Sequence, residues 1–238
     1  MFELLSGFGA LIIYFIVCAS SAVIIKFIIK VPHEVFRKLL HLILLGSLFV
    51  FIFCFKTWWI SALASVIFAV VVYPILAWAE KKFKGYSGLL EERKGGEIKA
   101  SLLLVFTMFA VVMTICWGLC GDKILALASI CAWGFGDAAA ALIGKKFGRH
   151  PLELKKLGVK KSWEGTSAMF TVSFISVFLS IYFHGGFTTV QSVIIAVITA
   201  SVTAYVELIT KGGNDTVTCP LAAMSVILPL THIFGGGF

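Results

Sequence analysis

Long apolar runs follow one another from end to end of this chain, and nothing else in it constrains the fold as strongly. They fall at 7–29, 39–55, 58–79, 98–119, 123–144, 164–183, 188–209 and 216–234, each bounded by charges or by Gly and Pro clusters. A helix of about 20 residues crosses the hydrocarbon core of a bilayer, and each run has roughly that length. Pro220 and Pro229 interrupt the last one. The expected architecture is all-α: a polytopic helix bundle with about eight transmembrane helices, and residues 1–238 forming a single integral-membrane catalytic domain.

Composition supports the same class. Hydrophobic residues make up 60% of the chain and charged residues 13%. A water-soluble domain of this size could not cover its surface with so few charges. The formal net charge of +8 would suit a nucleic-acid partner if the basic residues formed one patch. They do not. Lys26, Lys30, Arg37 and Lys38 lie at the first connection, and Lys81, Lys82, Lys84, Arg93, Lys94 and Lys99 at the third. Lys145, Lys146, Arg149, Lys155, Lys156, Lys160 and Lys161 lie at the fifth, and Lys211 at the seventh. Only Lys56 and Lys123 fall on even connections. Cytoplasmic loops are the ones that collect Lys and Arg, so the odd connections are expected in the cytoplasm and both termini outside.

Other features agree with this layout. Trp58, Trp59, Trp117 and Tyr182 fall at expected outer ends, and Trp78 and Trp163 at inner ends, as interfacial aromatics do. The first run has no basic segment before it, which is the reverse of a cleaved signal peptide. With no transit peptide, a prokaryotic plasma (inner) membrane is the expected location. The six cysteines lie in or beside apolar runs without a CxxC pair and read as small core residues.

Charges inside such runs are costly and mark functional candidates. Asp137 lies within the fifth run, seven residues before Gly144. Glu207 lies near the inner end of the seventh, Asp215 just after it, and Glu164 opens the sixth. Carboxylates from several helices at one depth suit Mg²⁺, which takes one or two carboxylates plus waters and substrate phosphates. Asp137, Glu207 and Asp215 are the metal candidates. Around Asp137, Gly134, Gly136, Ala138 to Ala141 and Gly144 form a strip of small residues that lets a helix or a ligand come close.

Lys160-Lys161-Ser162-Trp163-Glu164-Gly165-Thr166 opens the sixth span from the cytoplasmic side. Ser162 can cap that helix, and its free amides with two lysines suit an anion. Gly165 leaves room for a phosphate. In the first connection, His33, Arg37 and His41 share one face if the segment is helical, with Glu34 beside Lys38. No HExxH, zinc-ligand spacing or Walker-type loop is present.

Three segments together resemble the polytopic CTP-dependent lipid kinases (dolichol, phytol and CTP-dependent diacylglycerol kinases), relatives of the phosphatidate cytidylyltransferases. Gly136-Asp137-Ala138 through Gly144-Lys145-Lys146-Phe147-Gly148 resembles GDxxAxxxGxxFG. Lys160 to Thr166 resembles KKSxEGS. Val206-Glu207-Leu208 with Asn214-Asp215-Thr216-Val217-Thr218-Cys219-Pro220 resembles VEL…DNxTxP, although the order here is Asn-Asp. Glu34…Arg37-Lys38…His41 is similar to an early ExxRKxxH.

The resemblance implies transfer of the γ-phosphoryl of CTP to the hydroxyl of a lipid alcohol (diacylglycerol, a polyprenol or phytol), with Mg²⁺ as cofactor and the active site facing the cytoplasm. Asp137 and Glu207 would be catalytic, and His41 a possible base. Lys160, Lys161, Ser162, Glu164, Gly165, Lys145, Lys146, Arg37, Lys38 and Asn214 would surround the nucleotide phosphates. Two other readings fit an intramembrane carboxylate site. One is a phosphatidate cytidylyltransferase, whose Lys-Asp signature is absent here; the other is an ion-coupled transporter, for which no inverted repeat is visible.

Overall fold

The computed structural model describes residues 2–83, 86–89, 96–154, 159–210 and 213–235. Lys84, Arg93, Lys94, Lys155, Lys156 and Lys211, part of the charge alternation, lie outside the described residues. The helices are α1 (Phe2–Ile28), α2 (His33–Phe53), α3 (Trp58–Lys82), the short α4 (Tyr86–Leu89) and α5 (Glu97–Met113). They continue with α6 (Lys123–Phe147), α7 (Trp163–His184), α8 (Thr189–Ile209) and α9 (Asp215–Gly235). Past Met113, α5 continues as a π-helical stretch, Thr114–Leu119. Among the described residues, eight helices are long and apolar enough to cross a membrane, one for each apolar run, so this is an integral membrane protein.

Two features were not anticipated. The first is the hairpin between α6 and α7, where β1 (Pro151–Leu154) pairs antiparallel with β2 (Val159–Ser162), Leu152 opposite Lys161. The second is α9, which runs unbroken through Pro220 and Pro229. Helices within membranes tolerate proline because neighbours and side chains satisfy the freed carbonyls. A third point was conditional: the first connection is helical, since α2 starts at His33 behind Pro32. His33, Arg37 and His41 therefore do share a face.

The chain divides within α5 into two compact units, Met1–Val111 and Val112–Phe238. The first unit is built on aromatic packing. Phe15 stacks on Phe68 at 5.0 Å and Phe68 on Phe106 at 5.2 Å, while Phe51 meets Phe106 edge-on at 5.7 Å. Such pairs add about 1 kcal/mol each beyond area burial. Polar side chains fasten the helices where lipid offers no partner. Tyr14 donates to the Ile43 carbonyl at 2.8 Å and Ser61 to that of Phe51 at 2.8 Å. Glu3 accepts from the amides of Lys56 and Thr57 at 2.7 and 2.9 Å, holding the start of α3 to the start of α1.

The second unit is organised around α6, which packs on α7, α8 and α9. Its small residues make that possible. A Cβ on Gly136 would lie 2.5 Å from both Met169 Sδ and Ser173 Oγ, which no real packing allows. Ser173 donates to the Ala132 carbonyl at 2.6 Å across the same seam. At the opposite end, Asp122 caps α6 through the Ile124 amide (2.8 Å), and its other oxygen pairs with His184 Nε2 at 2.6 Å. That carboxylate ties the start of α6 to the end of α7.

Candidate functional site

Three of the carboxylates read from the sequence come together in the second unit. Asp137 is half-buried on α6, Glu207 is buried two residues before the end of α8, and Asp215 is half-buried in the first turn of α9. All three lie within electrostatic reach of the buried Cys219 thiol on α9. Helix α6 runs to Phe147, so Asp137 sits about 15 Å from its end at 1.5 Å per residue. Asp215 faces this cluster, whereas Asn214 is exposed in the preceding turn. The Asn214 carbonyl there accepts from the Val217 and Thr218 amides at 3.0 Å each.

The hairpin delivers a cation to the same place. Lys161 Nζ pairs with Glu207 Oε1 at 2.6 Å and also donates to the Glu207 carbonyl. Both side chains are largely buried, at 17% and 11% exposure, so neither charge is well hydrated. Removing one partner from such a pair is costly because the other is left unpaired. Sequence reasoning gave these two residues separate tasks and did not foresee that they bond. The backbone of Lys160 pairs with Glu153 in the hairpin, but its side chain lies outside what is described.

Around the start of α7, two expectations about phosphate are revised. Ser162 does cap the helix, its Oγ accepting from the Gly165 amide at 3.2 Å. Gly165, however, faces α6. A Cβ there would lie 3.1 Å from the Ala140 carbonyl oxygen and 3.3 Å from Gly144 Cα. Its missing side chain serves helix contact. Glu164 is also engaged: it accepts from the amides of Arg149 and His150 at 3.1 and 3.3 Å and contacts His150 Nδ1 at 2.7 Å. It latches the entrance of the hairpin to α7. His150 was missed as its partner, since a loop histidine 14 residues away carries no periodic signal. Lys145 and Lys146 are exposed in the last turn of α6, where cations complement the helix dipole.

Arg37, Lys38 and His41 belong to the first unit. Arg37 bonds Glu34 and, at 3.1 Å, Glu97 Oε1, and Lys38 is buried. Neither is the open phosphate donor that the spacing suggested. Arg37 and His41 instead line a cavity of about 400 Å³ among α1, α2, α3 and α5. Glu97 was missed because a lone acid at the start of an apolar run reads as an ordinary helix end.

The donor set can be tested against Mg²⁺. Among the described residues, no three or more His, Cys, Asp and Glu side chains form a ready cation site. A magnesium site does not need one, because waters and substrate phosphates complete its shell around one or two carboxylates. Asp137, with Asp215 or the second oxygen of Glu207, would be the carboxylates to meet that requirement.

The chain is 31% identical over 116 residues to the phytol kinase of Synechocystis sp., a match covering 49% of this chain and 48% of that protein. Over that stretch the two are homologous. The chain spans about half the length of the curated relative it matches. No family model matches the chain, and no solved structure does. The resemblance to polytopic lipid kinases, read first from four short motifs, therefore has an independent counterpart in this alignment.

Proposed function

We propose that this protein is a membrane lipid kinase that transfers the γ-phosphoryl of CTP to the hydroxyl of a lipid alcohol at the cytoplasmic leaflet, with both termini outside. The observation that carries the reading is the approach of Asp137, Glu207 and Asp215, from three helices, to within electrostatic reach of Cys219, with Lys161 paired to Glu207. Homology to a phytol kinase supports the reaction class.

Phosphoryl transfer asks a protein mainly for positioning and charge neutralisation. Asp137 and Asp215 are the residues that would hold Mg²⁺, which when bound offsets charge on the phosphate oxygens. Lys161 is poised to exchange Glu207 for a nucleotide phosphate, leaving Glu207 available to the metal. Lys145 and Lys146 attract the polyphosphate to the exposed end of α6. The latch between Glu164 and His150 keeps the hairpin, and so Lys161, in place. In the first unit, His41 is the residue proposed to accept the proton of the lipid hydroxyl.

A cytidylyltransferase would instead join the cytidine part of CTP to phosphatidate. Counting lipid-borne label from CTP labelled in the γ-phosphate or in the cytidine separates the two reactions. A transporter would show stoichiometric ion flux in liposomes and no lipid label.

A further inference from the structure

The cavity in the first unit has the shape and polarity of a binding site. Its lining is apolar over most of its length, with Phe15 and Ile12 from α1, Leu44 from α2 and Phe68 from α3. Its polar groups gather at one end. Arg37 and His41 stand in the first turns of α2, and Glu97 and Ser101 in the first turns of α5. Phe68 lies about 20 Å before the end of α3, at 1.5 Å per residue, whereas Glu97 begins α5. The cavity therefore runs along the helices from a charged end into the apolar spans, with Ile12 and Ile16 of its lining exposed. Its volume of about 400 Å³ is near the small end of ligand pockets, roughly 300–1,000 Å³.

We propose that this cavity holds a single-chain lipid alcohol, with the hydroxyl at the Arg37, His41 and Ser101 end and the hydrocarbon chain lying along α1 and α3. The proposal rests on the lipid-kinase reading and narrows its substrate class. A cavity of about 400 Å³ suits one chain better than the two that a diacylglycerol brings. A chain arriving from the bilayer gains little from leaving lipid, because lipid tails are as apolar as the cavity wall. Recognition must then come from shape and from the head. Arg37 Nε is buried and has no acceptor among the described residues, which leaves a donor for a hydroxyl oxygen. The guanidinium charge is already met by Glu34 and Glu97. With that charge balanced, this end of the cavity suits the neutral head of an unphosphorylated alcohol.

The test is photo-crosslinking of the full chain in phosphatidylcholine nanodiscs, using a long-chain primary alcohol with a diazirine at its far end and no nucleotide. Label is expected on Phe15, Phe68 or their neighbours, chased several-fold better by unlabelled phytol than by diacylglycerol or phosphatidate. Ala19→Phe narrows an exposed part of the lining and should cut labelling several-fold with the elution profile unchanged. Leu76→Phe serves the same purpose if Ala19→Phe does not extract. Label spread over lipid-facing side chains, an equal chase by diacylglycerol, or occupation by phosphatidylcholine tails that phytol does not displace would overturn the proposal. Labelling needs no phosphoryl transfer, so it can succeed where the kinase reading fails. Transfer to an alcohol with crosslinks outside the cavity would sink the pocket alone.

Discussion

Asp137 is the residue on which the account leans most heavily, and its sequence setting already exposed it. An acid in the midst of Gly and Ala inside a span must be held by something. Asp137→Asn keeps the shape and removes the charge, so turnover should fall by about 100-fold or more, the scale seen when one electrostatic stabiliser is lost. Extraction in detergent and elution should be unchanged; near-normal turnover would take Asp137 out of the metal role. Lys161 was legible as a cation near phosphate, but its bond to Glu207 was not, because the pair is 46 residues apart and meets only through the hairpin. Lys161→Ala should raise the apparent KM for CTP more than it lowers kcat. It should also destabilise the fold by on the order of 3 kcal/mol by stranding Glu207. The double variant Lys161→Ala with Glu207→Gln should regain most of that stability without regaining nucleotide affinity, as thermal melts and kinetics would read out.

At the scale of elements, the eight spans were legible because a helix in lipid must be long, apolar and bounded by charge. What pattern could not supply was contact. The strip from Gly134 to Gly144 admits either a helix or a ligand, and only the placement of Met169, Ser173 and Gly165 shows that α7 occupies it. The hairpin leaves little pattern to read, since four-residue strands show no clear alternation among so many lysines. Two substitutions test this seam. Gly136→Leu should separate α6 from α7 and abolish extraction of folded protein, whereas Gly9→Leu, at a glycine with open space around it, should be tolerated. Ser162→Ala removes the cap of α7 and should cost about 1 kcal/mol, seen as a lower melting temperature.

At the scale of the whole molecule, orientation and chemistry make one joint claim. On the proposed orientation the basic odd connections, and with them the hairpin, face the cytoplasm, the compartment that supplies nucleotide. A cysteine introduced at Arg149, in a chain freed of its native cysteines, should react with an impermeant maleimide only after the membrane is opened. Reaction in intact cells would invert the topology and place the carboxylate cluster away from CTP. The proposed alcohol pocket was not legible in the sequence at all, because a cavity drawn from α1, α2, α3 and α5 has no linear signature. The most direct test of the central claim uses purified protein in mixed lipid micelles with Mg²⁺ and CTP labelled in either the γ-phosphate or the cytidine. Label entering lipid from the γ-phosphate alone, and lost on chelation of the metal, is the predicted result. Label entering from the cytidine, or no lipid label across a panel of alcohols, would contradict it.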